Sequence, residues 1–438
     1  MSTTVAAVDF GATSIRVCRV ELGDRAPRLQ VVHRAPNAAT RGGDGHLRWD
    51  WPGLVAEMER GLARALDDGP VASIGVDTWG VDYGLLDRRG DLVEAPFCYR
   101  DERTRAHERV VDRIGARRLY GISGLQNLAF NTIFQLAAHD REPLARARHV
   151  LMLPELLVHH LTGVVTGEPT SAGTTGLLDL ATLRWSAELC DAIDLDPALL
   201  PSLQPAATPV GTWRGVPVHL VGGHDTASAV VAGASEGEAF VSSGTWSIVG
   251  CERPLADTSE HARCAGFSNE QGALGGVRFL RNVTGWWLVD QCRQVWGGDV
   301  EALLAAAARV EGEVPIVDVD DPRFLAPADM VAELRAASGL ADADPAVLVR
   351  SAVESMALAV ANVVAALPPV TGVQVFGGGA ASTLFLDALR QRSGLRVTAG
   401  PIEATALGNA IVQGIALGVF PSLEDARAML SGHEEVAR

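Results

Sequence analysis

The sequence predicts an α/β protein of two related domains, each presenting one polar hairpin suited to a phosphate group. Three observations lead there. At 438 residues the chain is too long for one hydrophobic core. Short apolar strand-like runs alternate with helical stretches from one end to the other. The segment AAVDFGATSIRV is echoed much later by AFVSSGTWSIVG. Both read strand, small polar turn, strand, with Gly and Thr in the turn and Ser-Ile after it. The division is expected at residues 1–233 and 234–438, in a Gly/Ala/Ser/Glu stretch spanning 232–238.

Composition narrows the function classes. With 47% hydrophobic and 21% charged residues the chain reads as an ordinary globular protein. A formal net charge of −16 argues against nucleic acid and anionic membrane as partners. No apolar run reaches the ~18 residues of a spanning helix. Met1-Ser2-Thr3-Thr4 has no positively charged leader region, so a cytoplasmic protein is expected. The six cysteines form no CxxC pair, which points to buried reduced thiols rather than a zinc or dithiol site. The chain contains no lysine. A Walker-A lysine, a Schiff base and a pyridoxal anchor are thereby excluded. Anionic groups must be met by arginine, backbone N–H, hydroxyls or a metal ion.

Taken in order, residues 5–10 read as a buried strand ending in Asp9, and 11–14 as a turn leading into a second strand at 15–22. Gly11 lets backbone approach a ligand, successive N–H groups in such a turn form an anion-binding concavity, and Asp9 suits Mg²⁺. A plain hairpin with a polar turn fits the same residues. Asp50 and Pro52 open a helix with apolar positions 55, 58, 62 and 66. A buried strand at 71–76 then meets Asp77-Thr78-Trp79-Gly80 before strand-like 81–86. Carboxylate, hydroxyl and indole side by side suit a polyol-reading edge, and equally a strand end with a core Trp. The arginine-rich 98–105 precedes a helix expected over 105–119. Further on, 150–153 reads as a short buried strand, and the Gly/Thr-rich 161–178 as loop and short strand.

The stretch 221–250 joins the halves: VGGHDTASAVVAGASEGEAFVSSGTWSIVG. Two glycines deliver His224 and Asp225 to a loop, and a donor-rich turn at 242–245 follows. Asp225 fits two roles, the cap of a helix starting near Thr226 and a base that activates a hydroxyl beside a phosphate. Beyond it, Asn282 precedes a helix carrying Trp286 and Trp287, and Asp344-Pro345 opens a long packing helix. A strand at 373–376 runs into Gly377-Gly378-Gly379 and a helix at 383–393, an arrangement that can face a nucleotide. Ser382 stands where a dinucleotide fingerprint needs its last glycine.

The ordered set DFGATS (9–14), DTWGVDYGLLDRRG (77–90), YRDERT (99–104), GHDTAS (223–228), SSGTWS (242–247) and GGG (377–379) resembles the FGGY carbohydrate kinases along nearly the whole chain. Within that family the likeness is nearest to members that phosphorylate L-rhamnulose. The resemblance implies two actin-like ATPase (ribonuclease H-like) domains with a cleft between them, sugar on the first and ATP largely on the second. It implies transfer from MgATP to the C1 hydroxyl of a ketose, with Asp225 as general base. Ala12, Thr13, Ser14, Arg16, Gly244 and Thr245 would clamp phosphates, Gly378 and Gly379 would face the adenosine, and Asp9 would support Mg²⁺. Gly80, His224, Thr226 and Asn282 would contact the sugar, beside the edge offered by Asp77 and Trp79. Where the family pattern has a nucleotide-side Gln, Asp290 stands here with Gln291 next to it. The same machinery serves kinases of L-fuculose, ribulose or xylulose. An actin-like ATPase without sugar kinase activity would keep both hairpins and have no use for the Asp77–Gly80 edge. The partners expected are a small ketose and ATP, on a monomer or homodimer.

Overall fold

The structure, a computed structural model, describes residues 2–234, 237–325 and 327–431. The expected boundary stretch includes residues 235 and 236, which lie outside the described residues. The chain forms two compact units. One takes the described residues of 1–232, 253–279 and 405–438, the other those of 233–252 and 280–404.

In the first unit the sheet runs in the order Pro209–Trp213, Val216–His219, Ile74–Thr78, Thr3–Phe10, Ser14–Leu22, Arg28–Pro36. Thr3–Phe10 pairs antiparallel with Ser14–Leu22 and parallel with Ile74–Thr78. Its side chains alternate between faces, as the period of two in a strand demands. Ala6, Val8 and Phe10 join a core with Met58, Leu62, Leu156 and Leu157, while Val5 and Ala7 join another with Ala406, Ala410 and Ile411. Both faces are therefore covered, which is why the strand reads as a continuous apolar run. Helix Trp51–Asp67 starts where expected: the Asp50 carboxylate accepts from the Gly53 N–H, and Pro52 sits in the first turn.

Two distant pieces of chain belong to this unit for identifiable reasons. The Tyr120 hydroxyl and the Gln126 amide both donate to the Phe267 carbonyl at 2.9 Å, tying residues 253–279 to helix Ala116–Ser123 and the loop after it. In helix Ala404–Ala416, Gln413 donates to the Ala6 carbonyl at 3.1 Å and Asn409 to Asp77 at 2.6 Å.

The second unit repeats the strand logic. Its sheet runs Val277–Thr284, Trp246–Arg253, Ala239–Ser243, Gly372–Phe376, Arg396–Ala399. Here too the hairpin strand Ala239–Ser243 pairs antiparallel with its successor and parallel with a later strand, Gly372–Phe376.

Three expectations change. The helix foreseen over 105–119 is broken: Glu108–Ile114 ends at Gly115, with φ 88°, and Ala116–Ser123 begins anew. Glycine takes this positive φ without steric cost, and the chain is redirected here. Asn282 lies within strand Val277–Thr284 rather than at a helix start, since helix Trp287–Trp296 begins later. Helix Pro345–Ala366 is long and apolar enough to cross a membrane, contrary to the reading of the sequence. Its most apolar window is 72% buried inside the fold, however, and it packs against Val300–Ala307, Met330–Ser338 and Thr383–Ser393. The five cysteines at 18, 98, 190, 251 and 292 are buried and Cys264 is exposed, and none is joined in a disulfide.

Candidate active site

Asp9 ends the first strand, and strand register places two charged residues beside it. It is opposite Arg16 on the antiparallel neighbour and level with Asp77 on the parallel one. Arg16 pairs with Asp9 at 2.9 Å. Asp77 is wholly buried, and one of its oxygens accepts from Asn409. Its other oxygen, Oδ1, has no hydrogen-bond donor among the described residues. Burial first, then the charge of Asp9 and a smaller push from Asp225, hold the Asp77 carboxyl well above the usual carboxylate range, against the pull of Asn409. Three carboxylates thus act on one another electrostatically, with one arginine among them.

The turn after Asp9 is tied at its base. Gly11 donates to the Ser14 carbonyl at 2.8 Å, and Asn37 reaches in from the third strand, its backbone to Thr13 and its amide to Gly11. Thr13 is exposed, with Ala12 and Ser14 half-buried, so the turn is open to solvent.

Asp225 is the first residue of helix Asp225–Gly233. Its Oδ1 accepts from the Thr226 backbone at 2.5 Å and the Thr226 hydroxyl at 3.1 Å. The helix thus begins one residue earlier than expected, and its carboxylate lies within the first turn, where the macrodipole favours negative charge. The preceding backbone is gripped from below. Glu168 accepts from Gly223 N–H at 3.1 Å, and Thr170, itself bonded to Glu168, accepts from His224 N–H at 3.1 Å. The Asp225 loop also meets the Asp77–Gly80 edge directly, since Thr78 donates its N–H to the Gly223 carbonyl at 2.9 Å. A Cβ at Gly80 would stand 2.9 Å from Thr174 and 3.2 Å from the His224 ring.

The imidazole of His224 faces Asp225, Nε2 to Oδ1 at 3.4 Å. On its other side lie Arg278 and Glu270, paired at 2.9 Å. Trp79 is buried: its ring packs on Trp49 with centroids 4.3 Å apart, and its N–H donates to Asp82. Asp82 also accepts from Trp49, Gln135 and the Tyr99 backbone, and burial, opposed by these bonds, raises its carboxyl to about 6. The indole of Trp79 therefore turns its polar edge into the protein.

The first unit brings together Asp9, Ala12, Thr13, Ser14, Arg16, Asp77, Trp79, Gly80, His224, Asp225 and Thr226. The second holds Gly244, Thr245, Asn282, Asp290, Gly378 and Gly379. There the hairpin turn is closed by Gly244 N–H to the Trp246 carbonyl, and the backbone of Trp286 donates to Gly244 at 3.0 Å. The Trp286 indole donates to Ser243 at 3.0 Å. Gly379 fits because a Cβ would stand 2.1 Å from the Ser243 hydroxyl. Asp290 spends its carboxylate on Arg293 and Gln294. Glu168, Thr170, Glu270, Arg278, Asn409 and Asn37 carry no motif that would have singled them out. Each acts through a partner remote in the chain.

Comparison with known proteins identifies the family. The sequence model of the FGGY family of carbohydrate kinases, N-terminal domain, matches residues 4–238, and that of the C-terminal domain matches 239–417. A protein named rhamnulokinase from Enterococcus faecalis is 35% identical, over 98% of this chain and 92% of its own length. Another, from Klebsiella pneumoniae, has the same identity and coverage. Among solved structures, a gluconate kinase and a xylulose kinase from Lactobacillus acidophilus superpose with TM-scores of 0.81 and 0.80 at 15% and 14% identity, each over 98% of this chain and 92% of theirs. These neighbours share the two-domain actin-like ATPase fold. Matched over nearly its full length, this chain belongs to the FGGY family of carbohydrate kinases.

Proposed function

We propose that this sugar kinase phosphorylates L-rhamnulose at its C1 hydroxyl, with Asp225 as the base. The observation that carries the reading is the Asp225 loop. A carboxylate stands at a helix start, clamped through the backbone by Glu168 and Thr170, and faces His224, whose ring lies beside Gly80. The choice of ketose is supported by relatives named rhamnulokinase, 35% identical over 98% of the chain.

In this reading Gly80, His224, Thr226 and Asn282 hold the ketose, with Asp77 and Trp79 behind the edge. Asp225 orients the primary hydroxyl and takes its proton late, as suits a carboxylate too weak to remove it outright. Backbone N–H groups of Ala12–Ser14, with Arg16, Gly244 and Thr245, receive the phosphates of ATP; Gly378, Gly379 and Asp290 lie toward its nucleoside. The transfer is direct, with no phosphorylated residue in between.

Asp9 ends its strand beside the phosphate-facing turn, with Arg16 at 2.9 Å, so one carboxylate is available there for a divalent cation. Mg²⁺ takes one or two carboxylates along with water and substrate phosphates. Asp9 would hold it, and when bound it would offset charge on the phosphates of ATP.

A coupled ADP-release assay over L-rhamnulose, L-fuculose, ribulose and xylulose tests the substrate. L-Rhamnulose should give the highest kcat/KM, and a higher value for another ketose would reassign it. Asp225→Asn should bind both substrates yet lose on the order of 10²–10⁴-fold in kcat. Near-normal turnover in a folded Asp225→Asn protein would remove Asp225 as the base.

A further inference from the structure

His224 is the one side chain in the Asp225 loop whose chemistry depends on which nitrogen carries hydrogen. Its surroundings answer that question. Arg278 is fully buried and permanently charged. Its Nε donates to the Gln271 carbonyl at 3.0 Å, which fixes the plane of the guanidinium. From that plane one terminal nitrogen reaches Glu270 at 2.9 Å and the His224 Nδ1 at 3.2 Å. Arginine has donors only, so Nδ1 must accept and cannot itself carry a hydrogen. Glu270 lies 3.3 Å from Nδ1, but its nearby oxygen makes no well-aligned hydrogen bond there and is engaged as an ion pair with Arg278.

We propose that Arg278, anchored by Glu270, is a positioning residue that holds His224 as the neutral imidazole with its hydrogen on Nε2, directed at Asp225. This rests on the assignment of Asp225 as the base. The groups facing His224 are Asp225, Glu270 and Arg278, with Thr170 on its backbone. One positive and two negative charges then surround a neutral ring. A second proton on the ring would oppose Arg278 across a hydrogen-bond distance. The consequence for catalysis is directional. Nε2 lies 3.4 Å from the Asp225 oxygen that the Thr226 backbone and hydroxyl already engage, so its hydrogen is turned to that same side. The other carboxylate oxygen is left as the one to take the hydroxyl proton.

The arrangement is read out by ¹⁵N NMR of histidine-labelled protein, with the His224 signals assigned by their loss in His224→Gln. The expected pattern is an unprotonated Nδ1 and a protonated Nε2. In Arg278→Met, with its donor gone, Nδ1 should gain a hydrogen shared with Glu270, and kcat should fall on the order of 10²-fold with the KM for ATP unchanged. Arg278→Lys, which restores a cationic donor, should recover part of both. An Nδ1–H tautomer or an imidazolium in the unaltered protein would overturn the proposal, and this result needs no variant to fold. So would an Arg278→Met protein whose His224 signals and kcat match the parent. Failure of the base assignment shows separately, as undiminished turnover in Asp225→Asn while the His224 pattern stands.

Discussion

Gly408→Ala should damage both stability and turnover, because Gly408 is the point where helix Ala404–Ala416 touches helix Asp225–Gly233. An added methyl carbon would stand 1.7 Å from the Ser228 carbonyl oxygen and 2.7 Å from its carbon. A tolerable carbon–oxygen contact is about 3.3 Å, so one backbone must retreat by roughly 1.6 Å. Neither atom is the end of a flexible side chain, and the crowding falls near the costly end of the overpacking range, about 3 kcal/mol. For a unit of this size that lowers Tm by roughly 5 °C. The helix displaced is the one that begins at Asp225, and a shift of about 1 Å at a reacting group costs on the order of 10²-fold in rate. Thermal unfolding followed by tryptophan fluorescence, with steady-state kinase assays well below the variant's Tm, measures both effects. Gly121→Ala is the matched control. It lies in helix Ala116–Ser123 with open space where its Cβ would go, and should raise stability by about 0.4–1 kcal/mol. A Gly408→Ala protein within about 1 °C in Tm and about twofold in kcat of the parent would refute the close-contact reasoning.

Two further outcomes are expected. Glu155 and Glu168 are buried together; burial first, and for Glu155 the neighbouring Glu168 next, raise their carboxyls to about 8 and about 7. Raised acids hold protons in the folded state that the unfolded chain releases, so their stabilisation is complete below about pH 4.5 and is lost as pH rises through 7 and 8. Urea unfolding should show a loss of about 4 kcal/mol between about pH 6 and about pH 9. Glu155→Gln keeps an oxygen for the Glu168 N–H and should lessen that slope; an equal slope in parent and variant would contradict it. Gly379→Ala would press on the Ser243 hydroxyl and the Trp286 indole. It should raise the KM for ATP about tenfold or more while leaving the KM for the ketose within about twofold, since the crowding is local to that turn. Equal rises in both KM values would mean that Gly379 does not serve the nucleotide.

What could be read from the chain was whatever is written in local pattern. Apolar runs ending in glycine located both hairpins, and Asp50-Pro52 and Asp344-Pro345 located two helix starts. The echo between AAVDFGATSIRV and AFVSSGTWSIVG corresponds to the same strand pairing in both units. Such features depend on neighbours a few residues away, so sequence alone determines them. Local pattern misled where a single φ or a strand register decided, as at Gly115 and Asn282. The tertiary structure alone decided the surroundings of the site's ionisable groups. Asp77 meets Asn409 across 332 residues, and His224 meets Arg278 across 54. Asp9 and Asp77 become neighbours only because two strands far apart in the chain lie parallel. A carboxylate's proton affinity and an imidazole's tautomer are set by the few ångströms around them, and those ångströms are filled by residues from remote parts of the chain.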